Sequence, residues 1–166
     1  MNNRSVRVGA VAGGIGGMAM AMWSMLVLAA TGNGFWSPVN LIAHTFYDKA
    51  PLDGAFNGTA ALVGVGAHMM IAMSLGVAIA LAAHRFCTRT AGTPALALAA
   101  SMVAWVGGIV TWNAVDSAAF DAFTPWVLLT GHAMFGMAAG AVVAALGAEA
   151  TRTTRAAVRT PELIDA

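Results

Sequence analysis

The sequence predicts an all-α membrane protein, a four-transmembrane-helix bundle made from two duplicated helical hairpins. Three observations lead to this fold class. Hydrophobic residues make up 59% of the 166 residues and charged residues only 9%, although soluble domains carry about 25% charged residues. Four long apolar runs contain no Asp, Glu, Lys or Arg. A histidine-centred motif occurs in two of these runs.

Each apolar run is long enough to cross the roughly 30 Å hydrocarbon layer of a bilayer. Backbone polar groups in lipid must be satisfied within the segment, so each run is expected to form a helix. The predicted helices are residues 8–31, 59–83, 93–114 and 125–147. They form a single transmembrane domain, 1–150, which is followed by a polar tail, 151–166, predicted to be cytoplasmic.

The basic residues predict the orientation of the chain. Seven of the eight lie on the side that holds both termini and the loop between the second and third helices: Arg4, Arg7, Arg85, Arg89, Arg152, Arg155 and Arg159. Only Lys49 lies on the other side. Because Lys and Arg are enriched in cytoplasmic loops, both termini are predicted to be cytoplasmic.

The first outer loop, 32–58, is longer than a simple connection requires. Within it, residues 38–47 are apolar but too few to span a bilayer. Trp36, Phe46 and Tyr47 flank or end this segment, and aromatic residues are enriched at the membrane–water interface. The segment therefore predicts a short interfacial helix.

The repeated motif is His-x-Met-x-x-Met-x-x-Gly. It begins at His68 in the second predicted helix and at His132 in the fourth. Because each half of the duplication would contain two spans, the two halves keep the same orientation in the membrane. His68 and His132 are therefore expected at similar depth, in the outer half of the bilayer.

The glycine-rich first helix, the outer loop and the two histidine-centred helices resemble the YagU-type inner-membrane proteins of bacteria. The resemblance spans most of the chain and rests on Trp36-Ser37-Pro38, on His68 with Ser74 and Gly76, and on Gly131-His132. That family has no established biochemical activity. The resemblance implies four helices in a bacterial inner membrane, and it implies no activity.

His68 and His132 are the leading candidates for chemistry, because ionisable side chains within a span are costly and often functional. Two imidazoles at matched depth could be axial ligands of a b-type haem. A further hypothesis is that these histidines, with the methionines, transport or sense protons or soft metal ions. The alternative is a packing role, in which each neutral imidazole bonds a carbonyl or hydroxyl. Ser101 or Thr111 is a candidate partner from another helix.

Methionines next to these histidines suggest a soft-metal site as a further alternative. Met70 and Met134, with Met73 and Met137, would join His68 and His132 as copper ligands. Helical spacing weakens this hypothesis, because the neighbours of His68 on its own face are Ile71 and Ala72. Methionine is also a flexible filler of apolar cores.

Glycines predict where helices approach closely. Gly9, Gly13 and Gly17 form a ladder with a spacing of four residues, and Gly136 and Gly140 repeat the theme. Such faces allow close packing of membrane helices, within one subunit or across an oligomer. They do not form a phosphate-binding loop, because no strand precedes them and no Lys follows.

Contact with water or with lipid headgroups is an alternative explanation for the other polar residues. Asp116 and Asp121 lie at the outer mouth, where they could attract cations or supply protons to His132, or be solvated loop residues. His44 is expected to contact lipid headgroups. No catalytic triad, HExxH motif or cofactor fingerprint is present, and the net charge of +1 gives no basis for nucleic-acid binding. The sequence therefore favours a non-enzymatic accessory subunit of a homo-oligomer or larger membrane complex.

Overall fold

The computed structural model describes residues 3–87 and 90–159. This part of the chain is helical, without strands. The helices are α1 (Asn3–Ala30), α2 (Ser37–His44), α3 (Gly58–Phe86), α4 (Thr93–Val115), α5 (Ser117–Asp121) and α6 (Pro125–Arg159), with one 3₁₀ turn at Thr90–Gly92. The four long helices, α1, α3, α4 and α6, are long and apolar enough to cross a membrane, as predicted.

The long helices extend beyond the predicted spans. Helix α1 begins at Asn3 and α3 ends at Phe86. Helix α6 has 35 residues and continues to Arg159, so the first part of the polar tail is helical. Residues 160–166 lie outside the described residues, and so does Arg89, one of the residues that predict orientation.

Local signals explain where the helices begin and end. The side chain of Asn57 caps α3 by accepting a hydrogen bond from the Ala60 N–H at 2.9 Å. Pro94 lies in the first turn of α4, where its missing N–H is not needed. After α1, Gly32 adopts a φ of +82°, a conformation that glycine adopts without strain.

The long helices pack in the order α3, α1, α6, α4, so that α1 and α6 lie in the middle of the bundle. The indole N–H of Trp23 in α1 donates to the Val127 carbonyl of α6 at 3.2 Å. At the other end of the same pair, the Arg4 guanidinium donates to the Leu146 carbonyl at 3.4 Å. The start of α1 and the end of α6 therefore lie at the same end of the bundle.

The predicted glycine ladder of α1 lies against α3. A Cβ added to Gly13 would lie 2.7 Å from the Cα of Met73, and one on Gly17 would lie 2.6 Å from the Cβ of Ala72. At Gly9 the nearest atom would be the Cα of Val77, at 2.5 Å. Real Cβ atoms do not approach so closely, so the two backbones meet only because these residues are glycines.

The second hairpin, α4 with α6, uses the same kind of contact. A Cβ on Gly136 would lie 2.8 Å from the Cα of Leu98, and a Cβ on Gly140 would lie 2.8 Å from the Cα of Pro94. The matching face of α4 is also made of small residues, all buried: Thr93, Ala97 and Ser101. The sequence analysis missed this face because it contains no glycine.

Helix α2 lies in the first outer loop, within the segment predicted to be a short helix, and packs against α3. A Cβ on Gly64 would lie 2.7 Å from the carbonyl carbon of Val39, so the helices approach at this glycine. The Asn40 amide, fully buried, donates to the Ala55 carbonyl at 2.8 Å. Helix α2 therefore covers the outer end of the bundle.

The bundle does not close evenly around its axis. Helix α4 packs along α6 but makes few contacts with α3. Only 11% of the most apolar stretch of α4 is buried, compared with 44% for α1, 33% for α3 and 39% for α6. A gap between α3 and α4 results, and it leads to the cavity described next.

Candidate functional site

A cavity of about 300 Å³ lies between α3 and α4, with α6, α1 and α2 forming the rest of its wall. Most of its lining is apolar, including Met20, Ile71, Leu75 and Phe135. The nitrogen- and oxygen-bearing side chains of the lining are His68, His132, Trp105, Trp112, Thr45 and Thr111. Both histidines of the repeated motif thus line one cavity.

His68 is held by the first helix. Its Nε2 lies 2.9 Å from the carbonyl oxygen of Gly17 in α1. A carbonyl oxygen only accepts hydrogen bonds, so Nε2 carries the proton and donates. In the neutral ring the other nitrogen, Nδ1, is then an acceptor, and no described residue donates a hydrogen bond to it.

His132 is held by its own helix. Its Nδ1 lies 3.0 Å from the Leu128 carbonyl, four residues earlier in α6. By the same argument Nδ1 donates, and Nε2 is left as the acceptor without a partner among the described residues. Each imidazole therefore has one nitrogen used in packing and one acceptor nitrogen that the protein does not use.

These partners differ from the side chains suggested by the sequence. The Ser101 hydroxyl bonds the backbone carbonyl of His132, at 2.7 Å, and not its ring. Both rings instead bond carbonyl oxygens, which agrees with the carbonyl form of the packing hypothesis. A Cβ at Gly17 would lie 3.5 Å from the His68 Nε2, an ordinary contact, so the close approach that requires this glycine is the one to Ala72 and not the one to the ring.

The cavity wall also contains a polar atom that the sequence analysis missed. The indole Nε1 of Trp105, in α4, is buried and has no hydrogen-bond partner among the described residues. Its position in mid-span, away from the interfacial belt where tryptophan is enriched, is the one signal that the sequence offers. An enclosed N–H donor without an acceptor costs about 1–3 kcal/mol, so this tryptophan is a locally unfavourable feature of the wall.

A smaller cavity of about 50 Å³ adjoins the first, and His68, Met20 and Trp112 line both. It also contains Ser24, whose hydroxyl is buried without a partner in the described part of the chain. Among the described residues, three fully buried side-chain atoms have no partner: Trp105 Nε1 in the wall of the larger cavity, Ser24 Oγ in that of the smaller one, and the Asn40 side-chain oxygen in α2.

At the end of the bundle opposite the start of α1, the His44 Nδ1 and the Asp116 Oδ2 are hydrogen-bonded at 2.8 Å. The Thr45 hydroxyl also donates to Asp116, at 3.4 Å, and the Trp112 indole donates to Thr45 at 3.0 Å. The other carboxylate oxygen accepts from the Ala119 N–H at 3.1 Å and caps α5. The sequence had suggested headgroup contact for His44, and for Asp116 it left open cation attraction, proton transfer to His132 or a solvated loop position.

Burial alone would raise the pKa of Asp116, because desolvation disfavours the carboxylate. The hydrogen bond from His44, the bond from the Ala119 N–H and the charge of His44 outweigh burial, and the pKa of Asp116 is lowered below its ordinary value. Asp116 is therefore a carboxylate at neutral pH. Asp121 is exposed.

The methionines of the copper hypothesis do not line the cavity. Met70 and Met134 are 68% and 36% exposed, and Met73 and Met137 are also exposed. Among the described residues, no group of three or more His, Cys, Asp or Glu could hold a metal ion. The methionine that lines the cavity with the two histidines is Met20 of α1, which is not one of the predicted copper ligands.

The hydrogen bond of His68 disfavours haem. The hydrogen bond to Gly17 occupies Nε2, the nitrogen farther from the backbone, and the remaining Nδ1 is bonded to Cγ, nearer to the backbone. A porphyrin bound at Nδ1 would lie against the backbone of α3. The two ring nitrogens that carry no proton, Nδ1 of His68 and Nε2 of His132, suit a small ligand with a hydroxyl group better than an iron porphyrin.

Comparisons of the chain with protein-family models, with curated proteins and with solved structures give no match. The resemblance to YagU-type proteins therefore rests on the sequence motifs alone. The function must be argued from the arrangement of the helices and from the two histidines.

Proposed function

We propose that this chain is a small non-enzymatic subunit of a bacterial inner membrane that assembles laterally with a second copy of itself through α4. The observation that carries the proposal is the exposure of α4: its most apolar stretch is 11% buried, the lowest value among the four long helices. Helices α1 and α6, in contrast, are packed on both sides within the bundle.

The exposed face of α4 has the composition of a helix-packing face. Ala95, Ala99, Val103 and Gly107 are all exposed and follow one another at intervals of four residues. Nothing lies within 4 Å of a Cβ added at Gly107. Small residues at this spacing let membrane helices approach closely, as the buried face of the same helix does against α6.

A second copy of the chain is the partner that fits this face of α4 best. Two α4 helices related by a twofold axis would each present the same small residues, and such an interface is self-complementary. The face carries no charged side chain that would call for a partner of opposite charge. The resemblance to YagU-type proteins supports the bacterial inner membrane as the location.

The distribution of basic residues supports cytoplasmic termini. Arg7 and Arg85 lie at the end of the bundle where α1 begins and α3 ends, and both are exposed. Lys49 lies in the opposite loop. Because Lys and Arg favour the cytoplasmic side, this supports a cytoplasmic location for the end where α1 begins and α3 ends.

Two exposed glycines give a matched test of the assembly. Gly107 in α4 and Gly66 in α3 both have open space where a Cβ would lie. Gly107→Leu should shift the protein from dimer to monomer in native mass spectrometry from mild detergent, because the larger side chain blocks close approach of two α4 helices. Gly66→Leu should leave the dimer unchanged.

Cross-linking in the membrane provides the second readout. In a Cys87→Ser background, Ala99→Cys should form a disulfide-linked dimer on oxidation, and Val65→Cys on the exposed face of α3 should not. A protein that remains monomeric by both methods contradicts the proposal, as does a dimer whose only cross-link is through Val65→Cys.

A further inference from the structure

We propose that the cavity between α3 and α4 binds a lipid-soluble phenol, a molecule with an aromatic hydroxyl on an apolar body. This site is independent of the proposed assembly through α4. The argument uses the unpaired polar atoms of the cavity wall, its apolar lining and its place in the membrane.

The unpaired atoms define the hydrogen-bonding character of the ligand. The acceptors are Nδ1 of His68 and Nε2 of His132, since the other nitrogen of each ring donates to a carbonyl. A hydroxyl group matches these two nitrogens, because it can donate a hydrogen bond to a ring nitrogen that carries no proton.

The rest of the wall defines the body of the ligand. Apolar side chains dominate the lining, and it contains four Phe and Trp residues: Phe46, Trp105, Trp112 and Phe135. Aromatic rings favour other rings in offset or edge-to-face contact. The volume of about 300 Å³ is at the small end of ligand sites, which suits a single substituted ring.

The gap between α3 and α4 gives such a molecule a route from lipid. Phe46 and Ile71, at 67% and 63% exposed, belong to the cavity lining and also reach the outer surface of the bundle. An apolar tail on the ring can therefore leave the cavity sideways into the acyl chains. A phenol is favoured over an aliphatic alcohol because its more acidic hydroxyl is the better donor to a neutral imidazole.

The test compares a phenol with its methyl ether. Purified protein in nanodiscs is titrated with 4-hexylphenol and with 4-hexylanisole, which has nearly the same shape but cannot donate. Binding is followed by tryptophan fluorescence. The phenol should bind about 3- to 10-fold more tightly than the ether, the effect of one hydrogen bond.

Variants assign the preference to the histidines. His132→Phe should remove the preference for the phenol while preserving the fold, because the ring of His132 bonds only its own helix. His68→Phe is the second variant, with its folding checked by circular dichroism. The exposed His84, which is not in the cavity lining, provides the control His84→Phe, which should keep the full preference.

A hexylhydroquinone arm distinguishes two sources of the same chemistry. Tighter binding than the phenol assigns the site to quinols of the membrane, and equal binding assigns it to simple phenols.

The proposal is overturned if phenol and anisole bind equally well to the unaltered protein. It is also overturned if His132→Phe and His68→Phe, both shown to be folded by circular dichroism, each retain the preference for the phenol over the ether. Either result would show that the imidazole nitrogens do not bind a hydroxyl donor in this cavity.

Discussion

His44 and Asp116 lie 72 residues apart in the sequence, and their side chains meet at a Nδ1···Oδ2 distance of 2.8 Å. The pair joins the end of α2 to the turn between α4 and α5. Because the Asp116 carboxylate also caps α5 through the Ala119 N–H, one side chain ties three helices together at the outer end of the bundle.

This relationship predicts a specific acid sensitivity. The pKa of Asp116 is lowered in the folded protein, so the unfolded chain binds the proton more tightly. The stabilisation is therefore fully present above the ordinary value of 3.8 and is lost as the pH falls through the lower folded-state pKa. Asp116→Asn should reduce the thermal stability at pH 7 and flatten its decrease between pH 4 and pH 2.

A second variant at the same position separates the ion pair from the cap. Asn caps helices about as well as Asp, whereas replacement of a capping residue by Ala costs about 1 kcal/mol. Asp116→Ala should thus be less stable than Asp116→Asn at every pH. The exposed Asp121 gives the control Asp121→Asn. If the pH dependence of thermal stability were unchanged in Asp116→Asn, Asp116 would not be the source of the acid sensitivity.

Replacement by alanine should have different effects on stability at two adjacent glycines of α1. A Cβ at Gly13 would lie 2.7 Å from the Cα of Met73, whereas the nearest atom to a Cβ at Gly14 would be the Cε of Met69 at 4.0 Å. Gly13→Ala should destabilise the protein by about 1–3 kcal/mol, because the backbones of α1 and α3 must separate.

Gly14→Ala has room for its methyl group and should leave stability unchanged or slightly increased, since Ala is the better helix former. Both variants can be compared by the loss of helical circular dichroism during unfolding in mixed micelles of sodium dodecyl sulfate. Equal stabilities for the two would show that α1 and α3 do not meet along the Gly13 face.

A matched pair of buried serines provides a third prediction. Ser101 is fully buried and donates to the His132 carbonyl at 2.7 Å, whereas the buried Ser24 hydroxyl has no partner in the described part of the chain. Ser101→Ala should cost about 0.6 kcal/mol, the average for an interhelical hydrogen bond in a membrane. Ser24→Ala should be neutral or stabilising in the same unfolding assay. A larger loss of stability in Ser24→Ala than in Ser101→Ala would contradict this prediction.

The four spans and the close contacts of the glycines follow from local properties of the sequence. Apolar length identifies a span without knowledge of its neighbours. The spacing of Gly9, Gly13 and Gly17 likewise marks a face on one helix, although it does not name the helix that packs there. The small face of α4 at Ala97 and Ser101 was missed because alanine and serine are common in membrane helices, so they identify a contact less clearly than glycine does.

The site was predictable only in part. The repeated motif contains His68 and His132, and the structure brings both to the wall of the same cavity. Their hydrogen bonds were not predictable, because the carbonyl of Gly17 is a backbone group that no residue type reveals. The roles of Trp105 and of the pair His44 and Asp116 depend on the gap between α3 and α4 and on the docking of α2. Those features result from packing between distant segments.

The single native cysteine permits a direct test of orientation. Cys87 directly follows α3, and Asp53 lies in the loop before it, where it is exposed. The 29 residues of α3 separate the two ends of the helix by roughly 43 Å, more than the hydrocarbon thickness of a bilayer. A membrane-impermeant maleimide should therefore label the two positions from opposite sides.

If the basic end of the bundle is cytoplasmic, Cys87 reacts only after the cells are lysed, because the reagent cannot cross the membrane. In the double variant Cys87→Ser with Asp53→Cys, the introduced thiol reacts in intact spheroplasts. Labelling of Cys87 in intact spheroplasts, with Asp53→Cys protected, would reverse the orientation. Labelling of both thiols before lysis would instead mean that α3 does not cross the membrane. The comparison therefore tests the span and its direction in one experiment, and the Cys87→Ser chain without a new cysteine gives the background.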